Sequence, residues 1–198
     1  GVRDADALIA RGRTITKKII QALDNCKVIA LGSVGADSVD VEIASEKGIP
    51  VTNVPDVFIE EVADHSIMLI LSAFRRVKKM DRMVRNGSWM EGRPFLSEFP
   101  RLWGQTIGFI SFGHTAQATS IRARAFGVQM IAYDPYIEEL AMTRCGVEPI
   151  SSLEELLKRS DIVSMHAPSN DEVFHLMSEN EFRLMKPQAL FINNGRGN

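Results

Sequence analysis

From Gln105 to the end of the chain, short apolar runs alternate with amphipathic stretches, and this alternation restricts the fold more than any other feature. Thr106-Ile107-Gly108-Phe109-Ile110, Val128–Tyr133, Asp161–Met165 and Ala189–Asn193 read as strands, with a further short strand beginning at Val147. His114–Phe126, Ile137–Cys145, Ser152–Arg159 and Ser178–Met185 read as helices. Strands separated by helices cannot pair as hairpins, so the pattern predicts a parallel sheet covered by helices. The first 56 residues repeat the theme. A strand over Ala5–Ala10 precedes a helix over Thr16–Leu23, with Thr14 as its cap. A strand over Lys27–Leu31, a helix over Asp37–Lys47 stopped by Gly48, and a short strand over Pro50–Val54 follow.

Between the two alternating regions, Val62, Ser66, Leu69, Ala73, Val77, Met80 and Val84 recur at helical spacing. They predict one helix over residues 60–86, about 40 Å long at ~1.5 Å per residue. A helix of that length either bridges two domains or forms a dimer seam, or it packs as an amphipathic helix on its own domain. Residues 88–104 carry Trp89, Phe95, Phe99 and Trp103 without a period, and read as a packed loop with one short turn.

Composition excludes several classes. Of 198 residues, 45% are hydrophobic and 24% charged, enough for a core and too apolar for disorder. A net charge of −2 and a pI near 6.1 leave no electrostatic footprint for nucleic acid. Cys26 and Cys145 make neither a disulfide scaffold nor a zinc site, which suits a reducing, cytoplasmic setting. No apolar run approaches the ~20 residues that span a bilayer, and the charged N-terminus does not read as a secretory leader.

The stretch that carries chemistry joins the strand ending at Ile110 to the helix beginning at His114. The dinucleotide fingerprint G-x-G-x-x-G belongs between a strand and a helix, and its three positions here read Ser111, Gly113 and Ala116. Gly113 is the position at which backbone approaches a diphosphate. Alanine at the third position serves close helix–strand packing. Serine at the first departs from the pattern, because that turn favours a residue without Cβ. A diphosphate is expected on the N–H groups that open the helix at His114 and Thr115. The fingerprint also requires an acid about 20 residues on, at the next strand end, to take the adenosine ribose hydroxyls. Asp134 stands 21 residues after Gly113. It repels a 2′-phosphate, and Pro135-Tyr136-Ile137 offers no basic side chain, so the expected coenzyme is NAD rather than NADP. The bland reading, in which Gly113 and Asp134 are ordinary turn residues of a βαβ unit, stands beside it.

The runs Gly113-His114-Thr115-Ala116-Gln117-Ala118, Arg122-Ala123-Arg124-Ala125-Phe126-Gly127 and Ala132-Tyr133-Asp134-Pro135-Tyr136 resemble the D-isomer-specific 2-hydroxyacid dehydrogenases. Within that family they are closest to the branch of phosphoglycerate dehydrogenase-like enzymes and C-terminal-binding-protein corepressors. Gly48–Pro55, Glu61–His65, Met165–Pro168 and Asn193–Gly197 extend the resemblance, in order, over nearly the whole chain.

The resemblance implies an α/β architecture: a partial flavodoxin-like substrate domain over residues 1–58, and an incomplete, Rossmann-like doubly wound parallel sheet over residues 59–198. It implies an active site between the two domains and a homodimer. Arg196 matches the family's catalytic arginine, whose planar fork suits the carboxylate and carbonyl of a 2-keto acid. Ser33, Val34 and Gly35 match the loop whose N–H groups hold the substrate carboxylate, with serine where relatives usually carry glycine. Ala167, Asn194 and Gly195 match positions on the nicotinamide side of the coenzyme. His166 matches an H-x-P element near the coenzyme that is not the proton acceptor. His65 reads as structural, His114 as a phosphate-side residue and His175 as a surface residue. The family's acid–base histidine and its glutamate partner lie beyond the arginine, so the chain as given is expected to be an inactive piece, of marginal solubility, of a longer protein. Three readings follow: an NAD-dependent oxidoreductase of 2-hydroxy and 2-keto acids, an NAD(H)-sensing scaffold of the corepressor type, and a remnant that binds nothing. No metal site is expected.

Overall fold

The computed structural model describes residues 2–197; Gly1 and Asn198, the outer ends of the two expected domains, lie outside them. The chain divides into two units after Phe58.

The first unit runs β1 (Leu8–Ala10), α1 (Lys17–Gln21), β2 (Ile29–Leu31), α2 (Val41–Glu46) and β3 (Val51–Thr52). The strands form a parallel sheet in the order β1-β2-β3, with Leu8 opposite Ile29 and Ile29 opposite Val51. Ile20, Leu23, Ile29 and Ala44 are its most deeply buried side chains. Asp40 caps α2 by accepting from the Ile43 N–H, and Gly48 takes the left-handed φ of 72° that ends it. Lys47 Nζ donates to the carbonyls of Ile20 and Gln21, placing a cation where the dipole of α1 is negative. The residue at the start of α1 is Thr16 rather than Thr14, and its side chain makes no capping bond.

The second unit begins with α3 (Ile59–Phe74), α4 (Val77–Arg85), α5 (Trp89–Gly92) and a 3₁₀ turn over Arg93–Glu98. It continues β4 (Thr106–Ile110), α6 (His114–Ala123), β5 (Gln129–Tyr133), α7 (Glu139–Arg144) and β6 (Glu148–Pro149). It closes with α8 (Leu153–Arg159), β7 (Ile162–Met165), α9 (Glu179–Leu184) and β8 (Leu190–Asn193). The sheet order is β6-β5-β4-β7-β8, with every pairing parallel. The chain winds outward from β4 to β6, then returns to lay β7 on the other side of β4. That reversal is the topological switch point of a Rossmann-like sheet, where ligands bind at strand C-termini.

Period-two alternation along β4 divides the unit into two cores. Ile107 and Phe109 pack with Phe112, Ile162, Ile70 and Phe74. Ile110 packs with Ile131, Val163, Leu156, Leu157 and Met165. Gly108 brings β4 close to α8: a Cβ at this position would stand 2.1 Å from Ser160 Oγ and 2.8 Å from a Leu156 methyl. On the other face α3 buries Ala63, Ser66, Ile70 and Phe74 at helical spacing. Arg122 of α6 ties the two helices by donating to Asp64, at 2.6 Å, and to Glu60.

The expected single helix over residues 60–86 is two helices. Arg76 takes a left-handed φ of 49° and breaks the ladder between α3 and α4. The apolar period runs through the break in phase, so the cause is not local. The guanidinium groups of Arg75 and Arg76 both lie over the Phe99 ring, and Lys79 lies over Phe95. Met80 and Met83 of α4 close against Gly92. The aromatic segment after α4 therefore supplies cation–π and apolar contacts that a straight helix would forgo. The same segment, expected to be a loop with one short turn, holds α5 and the 3₁₀ turn. α4 has no buried residue, which leaves α3 as the helix that builds the core.

Candidate coenzyme-binding site

At the end of β4 the backbone turns sharply through Ser111, whose φ is 66°. That left-handed conformation is the physical reason a glycine is the ordinary residue here. Ser111 adopts it while its N–H donates to the Tyr133 carbonyl at 2.9 Å and its hydroxyl donates to Asp134 Oδ2 at 3.2 Å. Gly113 follows as the N-cap of α6, with φ −69° and ψ −171°. This is extended backbone that any residue adopts. Apart from Gly113 itself and its two chain neighbours, no atom of the described residues lies within 4 Å of where a Gly113 Cβ would stand. Neither conformation nor packing requires glycine there, and the opening faces the N-terminus of the ten-residue α6. The first N–H groups of a helix have no acceptor within it. His114 is exposed at the first position of α6, Thr115 is half-buried, and Ala116 is fully buried against the core.

Asp134 ends β5 beside this turn. Its Oδ2 accepts from the Phe112 N–H at 2.8 Å as well as from Ser111, and its Oδ1 accepts from the N–H groups of Tyr136, at 2.8 Å, and Ile137, at 3.2 Å. One carboxylate thus holds the turn after β4 and the turn after β5 together. Asp134→Asn is expected to cost about 1–3 kcal/mol of stability, read by urea denaturation, because either amide orientation sets an NH₂ against backbone N–H donors. Behind Asp134 a cavity of about 350 Å³ is lined by Tyr133, Asp134, Pro135, Met142, Ile150 and Ser151. Tyr136 reaches across to donate its hydroxyl to Glu172, and that carboxylate raises the phenol's pKa.

The ends of β7 and β8 complete this edge of the sheet. His166 N–H donates to the Ile110 carbonyl at 2.9 Å, and Asn194 N–H donates to the Met165 carbonyl at 2.8 Å. Ala167 is 2% exposed, and a Cβ on Gly195 would stand 2.4 Å from its carbonyl oxygen, so the two loops touch backbone to backbone. Asn193 grips the following turn from both sides: its Oδ1 accepts from the Gly195 N–H at 2.9 Å, and its Nδ2 donates to the Arg196 carbonyl at 2.6 Å. Arg196 is exposed and borders a small pocket with Met165, Ala167, Pro168 and Val173.

Of the residues expected from the sequence, Gly113, His114, Thr115, Asp134, Ala167, Asn194, Gly195 and Arg196 all belong to one edge of the second unit. Ser33, Val34 and Gly35 follow β2 in the first unit. There Ser33 Oγ donates to the Gly35 carbonyl at 2.9 Å, the Val54 N–H to the Ser33 carbonyl at 3.2 Å, and Asn53 Nδ2 to the Val34 carbonyl at 2.7 Å. His65, expected to be structural, is exposed on α3. His175 is exposed and stacks on Phe174. His166 is the histidine the structure engages most fully. Burial pushes its pKa down from the usual 6.5 to about 4, so the ring is neutral at pH 7. Its partners, Ser164 and Thr115, had no signature in the spacing: Ser164 reads simply as a strand residue. Among the described residues no group of His, Cys, Asp and Glu could hold a metal ion, and no helix is long and apolar enough to cross a membrane.

These residues fit NAD on their own geometry. The open cradle at Gly113 gives backbone access to a diphosphate, and Asp134 sets a carboxylate at the adjacent strand end.

Residues 67–198 match the family described as D-isomer specific 2-hydroxyacid dehydrogenase, NAD binding domain. The chain is 36% identical over 197 residues to D-3-phosphoglycerate dehydrogenase of Methanocaldococcus jannaschii, covering 99% of this chain and 37% of the relative. It is 36% identical over 201 residues to glyoxylate reductase of Thermococcus litoralis, covering 99% of this chain and 60% of the relative. Among solved structures, D-lactate dehydrogenase of Aquifex aeolicus complexed with NAD and lactic acid superposes with a TM-score of 0.90 at 30% identity, covering 99% of this chain and 58% of that one. The chain thus spans 37% and 60% of the lengths of these two curated relatives. With the switch-point sheet and this match in agreement, the chain belongs to the D-isomer specific 2-hydroxyacid dehydrogenase family and carries its NAD-binding domain.

Proposed function

We propose that the protein containing this chain is an NAD-dependent oxidoreductase that interconverts a D-2-hydroxy acid and a 2-keto acid. The observation that carries the reading is the glycine at 113, which the fold itself does not need and which a diphosphate at the N-terminus of α6 does. NAD, when bound, supplies the carbon that accepts or returns the hydride. The N–H groups of His114 and Thr115 bind the diphosphate, and Asp134 takes the adenosine ribose. Of the four donors on Asp134, the Ser111 hydroxyl is the one free to rotate, so a ribose hydroxyl binds by exchanging with it. The Asp134 charge also disfavours a 2′-phosphate. Ala167, Asn194 and Gly195 line the nicotinamide side, on their place at the ends of β7 and β8. Arg196 presents its guanidinium fork to the carboxylate and carbonyl of the substrate. Ser33, Val34 and Gly35 are assigned to the substrate carboxylate on their correspondence to the family's loop. A homodimer accords with large apolar side chains left open on the second unit, Ile121 at 60% and Trp103 at 74% exposure. A cytoplasmic setting accords with the unpaired Cys26 and Cys145.

The test is Gly113→Ala. Its Cβ enters open space, so the melting temperature is expected to stay at the wild-type value while NADH affinity, read by fluorescence titration, falls about tenfold or more, a loss of ~1.4 kcal/mol. Undiminished affinity overturns the placement of the diphosphate. NADH binding without turnover of any 2-keto acid by the complete natural protein favours the sensing-scaffold reading over the enzyme.

A further inference from the structure

Beneath the coenzyme turn a chain of side chains crosses from β8 to α6. Asn194 Nδ2 donates to Ser164 Oγ at 3.2 Å. Ser164 Oγ lies 2.9 Å from His166 Nε2, and His166 Nδ1 lies 3.3 Å from Thr115 Oγ1. Ser164 is fully buried, and its hydroxyl proton needs an acceptor. Asn194 approaches it with a donor, so among its described partners the acceptor is His166 Nε2. A neutral imidazole with its lone pair on Nε2 carries its proton on Nδ1. That proton points at Thr115 Oγ1, which therefore accepts from below and turns its own proton outward.

We propose that Ser164 and His166 are positioning residues: they hold the imidazole in the Nδ1–H tautomer, and that tautomer aims the Thr115 hydroxyl proton at the coenzyme diphosphate. The proposal rests on the coenzyme reading above. It goes beyond it by giving a direction to every hydrogen bond in the chain and by joining the diphosphate turn to the strand end that bears Gly195 and Arg196. The neutral ring at pH 7 is consistent with it, since an imidazolium would present a donor to Ser164 and leave the buried hydroxyl proton without an acceptor. A hydroxyl oriented in advance loses less freedom on binding an anion than one that must be reoriented.

The experiment uses the complete natural protein labelled with ¹⁵N-histidine, with NADH as the probe. Long-range ¹H–¹⁵N NMR is expected to find the His166 proton on Nδ1 in the wild type, and to find Ser164→Ala shifting population to Nε2–H. Thr115→Val is expected to weaken NADH about tenfold, the loss of one hydrogen bond to a charged group, and Thr115→Ser to restore the affinity. Because Ser164 acts through Thr115, Ser164→Ala is expected to weaken NADH several-fold in the wild-type background and not at all in the Thr115→Val background. An Nε2–H ring in the wild type, or equal effects of Ser164→Ala in both backgrounds, overturns the proposal while leaving the coenzyme reading intact. A wild-type protein that does not bind NADH overturns both. Thr115→Val and Thr115→Ser alter a half-buried side chain at a helix start, so the cycle retains a soluble arm if Ser164→Ala fails to fold.

Discussion

Gly108→Val is expected to destabilise the NAD-binding domain by roughly 3 kcal/mol or more, at the upper end of what overpacking a core costs. A Cβ at 108 meets Ser160 Oγ at 2.1 Å and Leu156 at 2.8 Å. Neither neighbour has room to retreat. Both are fully buried, and Ser160 Oγ is fixed by its donation to the Leu156 carbonyl at 2.7 Å. The strain therefore falls on the β4–α8 contact, at the centre of the sheet. Against a typical stability of about 5–15 kcal/mol the loss is large enough to shift the urea midpoint well below that of the wild type. Gly108→Ala is expected to lose less, and Gly113→Ala nothing. Equal midpoints for Gly108→Val and the wild type would refute the close packing. The contrast between two glycines five positions apart separates a residue that the fold requires from one that it does not.

If the proposed function holds, Arg196→Ala is expected to lower kcat/KM for NADH-dependent reduction of the 2-keto acid substrate by about 10³-fold in the complete natural protein, the scale of losing a preorganised charged donor to a developing oxyanion. The dissociation constant of NADH is expected to change little, because Arg196 stands at the pocket beyond Ala167 and Pro168 rather than at the diphosphate turn. Arg196→Lys keeps the charge but not the planar fork, and is expected to recover only a small part of the loss. The measurement is steady-state kinetics with a parallel NADH titration. Full activity in Arg196→Ala removes this residue from the substrate; a parallel loss of coenzyme affinity reassigns it to the coenzyme.

Both experiments depend on features of different legibility. From β4 onward the strands and helices follow from periodicity, and the structure places their ends within one to two residues of the expected ones, except that α6 stops at Ala123 and a 3₁₀ turn over Arg124–Phe126 takes its place. The positions of Gly113 at the start of α6 and of Asp134 after β5 were legible because the pattern is local: a strand end, a helix start and a fixed interval to the next strand end. The left-handed turn at Ser111 was also anticipated, as the place where serine departs from the pattern, but its compensation was not. The Ser111 hydroxyl and the Phe112 N–H both reach Asp134, and nothing in the spacing says that the carboxylate spends its four acceptor sites inside the protein. The break at Arg76 was equally invisible. Val77, Met80 and Val84 continue the apolar stripe in phase, and the rings that draw Arg75, Arg76 and Lys79 away belong to a later segment without a period.

What the sequence by itself determined is the parallel α/β architecture, the turn between β4 and α6 and the acid that ends β5, because each is written in residues close together along the chain. What only the tertiary structure decided is how the strand ends are wired to one another. Thr115 meets His166 across 51 positions, and Ser164 meets Asn194 across 30. Hydrophobic periodicity is a property of single elements and carries no record of such meetings. They arise when β7 returns to lie beside β4 and β8 pairs with β7, which brings distant strand ends, with their side chains, to the same end of the sheet.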